Sequence, residues 1–317
     1  MGIWIILLII IVTLLLVFLF FCHMTGSKFL KNLSRQNPGD TFHVDIDISF
    51  YKNGPLAKIA EEGMKYMETL PHEDVYINSE DGLRLHAVLF KAEDTPKKFV
   101  IGMHGFQSHA RNEFAPYIEF YRSLGYSMLL PDDRAHGESE GQYITMGVKD
   151  RRDCVCWAKY ITGRFGGDSR ILLHGISMGA AAVLSASGEV DLPLQVKGVI
   201  SDCGFTSVKE AFAYQIEAMY HISPAFPLRV CEWYAKHKAG FDFMEARPID
   251  QVEYAKVPVL FVQGQDDFLV PASMAYRLYG ACNSKKKIIV VEHASHAESI
   301  AVAPERYHDA IRKFFMI

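Results

Sequence analysis

Hydrophobic positions along this chain follow three successive rhythms. Residues Ile3 to Phe21 form an uncharged apolar run of 19, long enough for a tilted transmembrane helix and longer than the apolar stretch of a secretory signal. Between Thr25 and Leu70, polar turns such as Asn37-Pro38-Gly39-Asp40 precede an amphipathic helical pattern from Pro55 to Leu70. From Asp74 the rhythm is that of strands. Asp74 to Asn78, a Ser79-Glu80-Asp81-Gly82 turn and Leu83 to Phe90 read as a hairpin. Phe99 to Met103, Ser127 to Leu130, Ile171 to Leu173, Val196 to Ser201, Val259 to Gln263 and Lys287 to Val291 are short apolar runs separated by helical segments. Strands without polar alternation are buried on both faces, so the expected class is α/β, a mostly parallel central sheet with helices on both faces. The expected division is a transmembrane anchor at 1–22, a membrane-proximal lead-in at 23–73 and one α/β domain at 74–317.

No Lys or Arg precedes the first apolar run and no small-residue cleavage site follows it, so the anchor is expected to be retained as a single pass. Lys28, Lys31 and Arg35 follow the span, which by the positive-inside rule puts the folded part on the cytoplasmic side. The formal net charge of -4, with cations scattered among acids, offers no basic stripe, and nucleic acid is not expected as a partner. Cys22, Cys154, Cys156, Cys203, Cys231 and Cys282 show no C-x-x-C spacing and no paired histidine cluster. Neither a zinc site nor a redox motif is implied, and no cofactor or metal is expected.

The chemistry concentrates at Arg170-Ile171-Leu172-Leu173-His174-Gly175-Ile176-Ser177-Met178-Gly179, followed by small helix formers. A Gly-x-Ser-x-Gly turn between a strand and a helix exposes its serine as a nucleophile, and the glycines remove Cβ atoms that would collide with the neighbouring elements. Serine is a weak nucleophile unless a base takes its proton and a third group orients that base. Asp267, in the loop after Val259–Gln263, is the expected acid, with Asp266 and Asp202 as alternatives. His296, after the last strand, is the expected base, with His293 as the alternative. A tetrahedral intermediate needs two fixed donors, and the backbone N–H groups of Phe106 and Met178 are the candidates.

His104-Gly105, the Asp133-Arg134-Ala135-His136-Gly137-Glu138-Ser139-Glu140-Gly141 run, Gly175-Ile176-Ser177-Met178-Gly179, Ser201-Asp202-Cys203-Gly204-Phe205 and the Asp267 and His296 loops together resemble the α/β-hydrolase superfamily. More narrowly, they resemble membrane-anchored bacterial hydrolases of lysophospholipase-like or serine aminopeptidase-like type. The resemblance covers roughly Asp74 to Phe315 and implies the α/β-hydrolase fold, with residues 205–248 as a small helical lid on a catalytic domain. It implies a serine hydrolase, foremost a carboxylesterase or lysophospholipase acting on an acyl ester or lipid. An aminopeptidase-like amide hydrolase, with Glu210, Glu217 or Glu232 taking the substrate's ammonium, and a non-catalytic binding protein are the alternatives. Gln263 departs from the pattern, standing where such families often carry His.

Overall fold

The computed structural model describes residues 2–35, 54–94 and 96–317. The Asn37–Asp40 turn expected from sequence lies outside them.

Eight strands form one sheet in the order β1-β2-β4-β3-β5-β6-β7-β8. They are β1 (Glu73–Asn78), β2 (Arg84–Phe90), β3 (Lys98–Met103), β4 (Ser127–Pro131), β5 (Arg170–Ile176), β6 (Val196–Asp202), β7 (Val259–Gly264) and β8 (Lys286–Val291). The pairs β1-β2 and β2-β4 are antiparallel and the remaining pairs are parallel. Every apolar run read as a strand is one. The main difference is β5, which continues through His174, Gly175 and Ile176, because these residues still pair with Ile200, Ser201 and Asp202 of β6.

Side chains alternate across the sheet and feed two cores. On one face Val100, Leu172, Ile200 and Leu260 pack against helices α3 (Ala110–Ser123) and α11 (Pro304–Phe315). On the other, Ile101, Leu173, Val199 and Phe261 meet α4 (Asp150–Phe165), α5 (Met178–Ser187) and α9 (Ala272–Ala281). The Asp133–Gly141 run is structural: Arg134 is buried, with its guanidinium forking onto Asp153 at 2.6 and 2.7 Å and reaching Asp81 at 3.0 Å.

Helix α1 (Gly2–Leu33) is long and apolar enough to cross a membrane, and its most apolar window is uncovered by the rest of the protein. It continues well past the apolar run, and Phe29 and Leu33 join a third apolar cluster with Met178, Phe205 and Phe243. Helix α2 (Pro55–Glu68) places buried Met67, with Leu56, Ile59 and Met64, on the first core. Between β6 and β7 lie α6 (Val208–Tyr220), α7 (Ala225–Tyr234), a π-helical turn (Ala235–Ala239), a 3₁₀ turn (Phe243–Glu245) and the short α8 (Pro248–Val252). Helix α10 (Ser299–Val302) precedes α11.

Candidate active site

Ser177 is the single residue between β5 and α5, with φ +55° and ψ −112°, a backbone conformation costly for any residue with a side chain. Its N–H donates to the Asp202 carbonyl at 2.9 Å, tying the turn to the end of β6. A Cβ on Gly175 would stand 2.2 Å from the Gly179 carbonyl oxygen, and one on Gly179 would stand 2.0 Å from that of Met103. Only hydrogen fits at either position, which is why both are glycine.

Two loops at the carboxyl ends of β7 and β8 meet this turn. His296 Nε2 lies 2.8 Å from Ser177 Oγ, and His296 Nδ1 lies 2.8 Å from Asp267 Oδ2. The backbone N–H groups of Leu269 and Val270 donate to Asp267 Oδ1 at 2.9 and 2.8 Å, and Gln263 Nε2 donates to Oδ2 at 2.8 Å. Gln263 also donates to the Gly264 and Val270 carbonyls, so its amide braces the acid loop from inside β7. Burial disfavours the imidazolium of His296, but the charge and hydrogen bond of Asp267 outweigh it, and the histidine sits above its ordinary value.

The sequence alternatives lie elsewhere. Asp266 and His293 are exposed and 3.8 Å from each other. Asp202 is buried, with Oδ2 accepting from Tyr307 at 2.9 Å and Tyr117 at 3.3 Å. Its Oδ1 has no partner among the described residues, and burial pushes its carboxyl up to about 7.

The loop after β3 is held by His104, part of the sequence motif, and by Glu113, which sequence reasoning missed. His104 Nε2 accepts from the Asp133 N–H at 3.0 Å, so Nδ1 carries the proton and donates to the Gly105 carbonyl at 2.8 Å. Burial, together with the neighbouring His136, pushes His104 down to about 3, keeping it neutral. The Gly105 N–H donates to Glu113 Oε2 at 2.7 Å, and burial pushes that carboxyl up to about 7. Gln107, in the left-handed region at φ +55°, donates from Nε2 to the Asn32 carbonyl of α1 at 2.6 Å. Phe106 stands between these fixed points. Met178 opens α5, where the first N–H groups have no partner within the helix.

Ser177, His296, Phe106 and Met178 line a cavity of about 950 Å³ whose walls are mostly apolar. The lid supplies Phe212, Ile216 and Met219, and α1 supplies Phe29 and Leu33. Of the acids, Glu61 and Glu113 line it, whereas Glu210, Glu217 and Glu232 do not. Glu210 is paired with Arg277 at 2.5 Å and Glu232 with Lys236 at 2.6 Å. Donor atoms of Cys203, Asp267 and His296 lie within 4.8 Å of one another. That set suits a metal poorly, because burial keeps the Cys203 thiol well above its usual range and both imidazole nitrogens already have partners.

Known proteins agree with this architecture. The Bacillus subtilis protein YqkD is 28% identical over 222 residues, covering 70% of this chain and 72% of its own. The zebrafish (Danio rerio) lysophosphatidylserine lipase ABHD12 is 23% identical over 176 residues, 54% of this chain and 44% of its own. The crystal structure of the Pyrococcus furiosus esterase Pf2001 superposes with a TM-score of 0.64 at 25% identity, over 79% of this chain and 94% of that one. The sequence model of the Prolyl oligopeptidase family matches residues 112–314. With well over half its length so matched, on an eight-stranded α/β-hydrolase sheet, this chain is a hydrolase of the α/β-hydrolase superfamily and belongs to the Prolyl oligopeptidase family.

Proposed function

We propose that this protein is a serine hydrolase of acyl esters, a carboxylesterase or lysophospholipase-like enzyme held at a membrane by its N-terminal helix. The observation that carries the reading is the unbroken hydrogen-bonded line from Ser177 through His296 to Asp267, opening on an apolar cavity. In this reading His296 Nε2 takes the Ser177 proton as Oγ attacks the ester carbonyl carbon. The oxyanion is held by the Phe106 and Met178 N–H groups. The imidazolium then protonates the leaving alkoxide as the C–O bond breaks. Water, deprotonated by His296, attacks the acyl-serine and releases the acid and free Ser177. Asp267 holds the imidazole in the tautomer this requires.

The helical segment 205–248 acts as a lid over the acyl chain, and residues 1–22 act as the anchor, with the catalytic domain on the cytoplasmic side because Lys28, Lys31 and Arg35 follow the span. Apolar lid residues on the cavity favour an acyl chain over an ammonium-bearing peptide. Glu210, Glu217 and Glu232 do not line the cavity; of the acids that do, Glu113 is engaged with the Gly105 N–H and Glu61 is paired with Lys65 at 2.6 Å. A series of p-nitrophenyl esters from acetyl to octanoyl, run beside aminoacyl p-nitroanilides, tests this. Each methylene buried is worth about 0.8 kcal/mol, so kcat/KM should rise roughly fourfold per CH₂ until the cavity is full. A flat or falling series, or faster turnover of the aminoacyl amides, contradicts the ester reading.

A further inference from the structure

We infer that the cavity opens onto the bilayer surface, so that Ser177 receives bilayer-resident long-chain esters directly from the membrane, with α7 lying against lipid and α1 forming one wall of the entrance. This rests on the reading of α1 as a membrane span and of Ser177 as the nucleophile.

The depth of the lid follows from helix geometry. At 1.5 Å per residue the apolar run from Ile3 to Phe21 is about 28 Å long, close to the roughly 30 Å hydrocarbon thickness of a bilayer. A span with so little slack must end near Phe21, which leaves Phe18 one turn inside the hydrocarbon edge. The ring of Phe18 meets that of Phe226, at the start of α7, with centroids 5.4 Å apart. The lid therefore reaches the same depth. Further along the same continuous helix, Thr25, Lys28, Phe29 and Asn32 line the cavity. Lys28 lies about 10 Å beyond Phe21, just past a polar layer roughly 5–8 Å thick.

The rim is apolar as well as shallow. Tyr220 and Ile222 line the cavity and are about half exposed, at 54% and 50%. Phe226 and Trp233 of α7 are exposed to a similar degree, at 48% and 50%. Scattered exposed apolar residues are ordinary in a soluble domain, but these adjoin a helix whose own apolar length is uncovered, and α7 is fastened to it. A Cβ on Gly26 would stand 2.2 Å from the Tyr234 ring, and His23 Nδ1 lies 3.0 Å from the Tyr234 hydroxyl. Beyond that, Gln107 grips the Asn32 carbonyl and Ser34 bridges to Tyr143. Span, lid and the loop after β3 are thus one body, which presents the cavity mouth to the bilayer instead of swinging on a loose tether.

The test uses the full chain reconstituted in phosphatidylcholine vesicles, with and without Phe226→Glu, a residue outside the cavity lining. An acid at that depth should lift the lid from lipid and cut hydrolysis of vesicle-borne 4-methylumbelliferyl oleate at least tenfold, while hydrolysis of water-soluble 4-methylumbelliferyl acetate is unchanged. Phe226→Leu should restore the oleate rate. Equal loss on both esters, or loss on neither, overturns the inference. An activity-independent reading comes from Trp233 in a Trp4→Phe protein, since Trp157 is buried in the core. Brominated phosphatidylcholine should quench Trp233 in the parent and not after Phe226→Glu, and an unquenched parent overturns the inference. Quenching without hydrolysis of either ester would sink the serine-hydrolase reading and leave the bilayer contact standing. Conversion of a dimer to a monomer by Phe226→Glu would assign this face to a second copy and overturn the proposal.

Discussion

Two buried aspartates stand at the carboxyl side of the sheet, Asp267 in the loop after β7 and Asp202 at the end of β6, and the protein treats them oppositely. Asp267 receives four donors: two backbone N–H groups, the Gln263 amide and the imidazole itself. Asp202 ends a line of neutral groups. Tyr121 donates to His174 Nδ1 at 3.0 Å, His174 Nε2 meets the Tyr307 hydroxyl at 3.0 Å, and Tyr307 donates to Asp202 at 2.9 Å. Burial pushes His174 down to about 3 and Asp202 up to about 7, so this line favours neutral forms. Both carboxyls stand at the carboxyl ends of strands, where ligand-side residues of parallel sheets collect. Donor count, not chain position, separates the one that can hold an imidazolium from the one that packs.

The largest effect is expected from Asp267→Asn. It should lower kcat by about 10⁴-fold, because the imidazole would lose the acceptor that fixes its tautomer. The pH profile should move with it. In the proposed mechanism His296 must be neutral to act as base, so the acidic limb of kcat/KM in the wild type should lie above the ordinary histidine value of about 6.5. Removing the Asp267 charge leaves burial dominant and should shift any residual limb to lower pH. A full-rate Asp267→Asn enzyme would overturn the assignment.

A smaller effect is expected at Gln263. Gln263→Leu removes one donor from Asp267 and braces from two carbonyls. A loss of roughly tenfold in kcat with little change in KM is predicted, since a positioning group acts on the reacting geometry more than on substrate binding. Gln263→His, which can still donate one hydrogen bond, should recover part of the rate. Equal activity of the leucine and glutamine enzymes would remove Gln263 from the account.

The smallest effects belong to Asp202→Asn and Asp266→Asn, each expected within a few-fold of wild-type turnover. Asp202 carries a further, thermodynamic sign. Its native carboxyl titrates near 7, well above the roughly 3.9 of an unfolded aspartate. Between those values the folded state holds more protons, so its contribution to stability falls as pH rises. Asp202→Asn lacks that penalty, and chemical denaturation should show the variant gaining on the wild type from pH 5 to pH 8.

The sheet was legible because buried parallel strands write themselves as apolar runs, and Ser177 because strand, glycines and helix enclose it. As candidates, His296 and Asp267 were legible by their places after strands, although Asp202, at the end of its own strand, was a candidate on the same ground and only the donors around each carboxyl distinguish the two. Other features leave no local trace. Gln263 looks like any strand terminus until the acid loop folds over it, and Glu113 sits in an ordinary first helical turn until the Gly105 N–H reaches it. The segment between Thr25 and Leu33 reads as polar and unremarkable, yet the structure continues α1 through it and lays Phe29 and Leu33 on the cavity. Glu210 was illegible for the same reason, because its pairing with Arg277 joins residues far apart in sequence.

Whether Ser177 is the nucleophile can be read from intact-mass analysis after treatment with a fluorophosphonate. One phosphonyl adduct is expected on the wild-type protein, mapped by peptide sequencing to Ser177, and none on a folded Ser177→Ala variant. An adduct retained by Ser177→Ala, or mapped to another serine, would contradict the assignment.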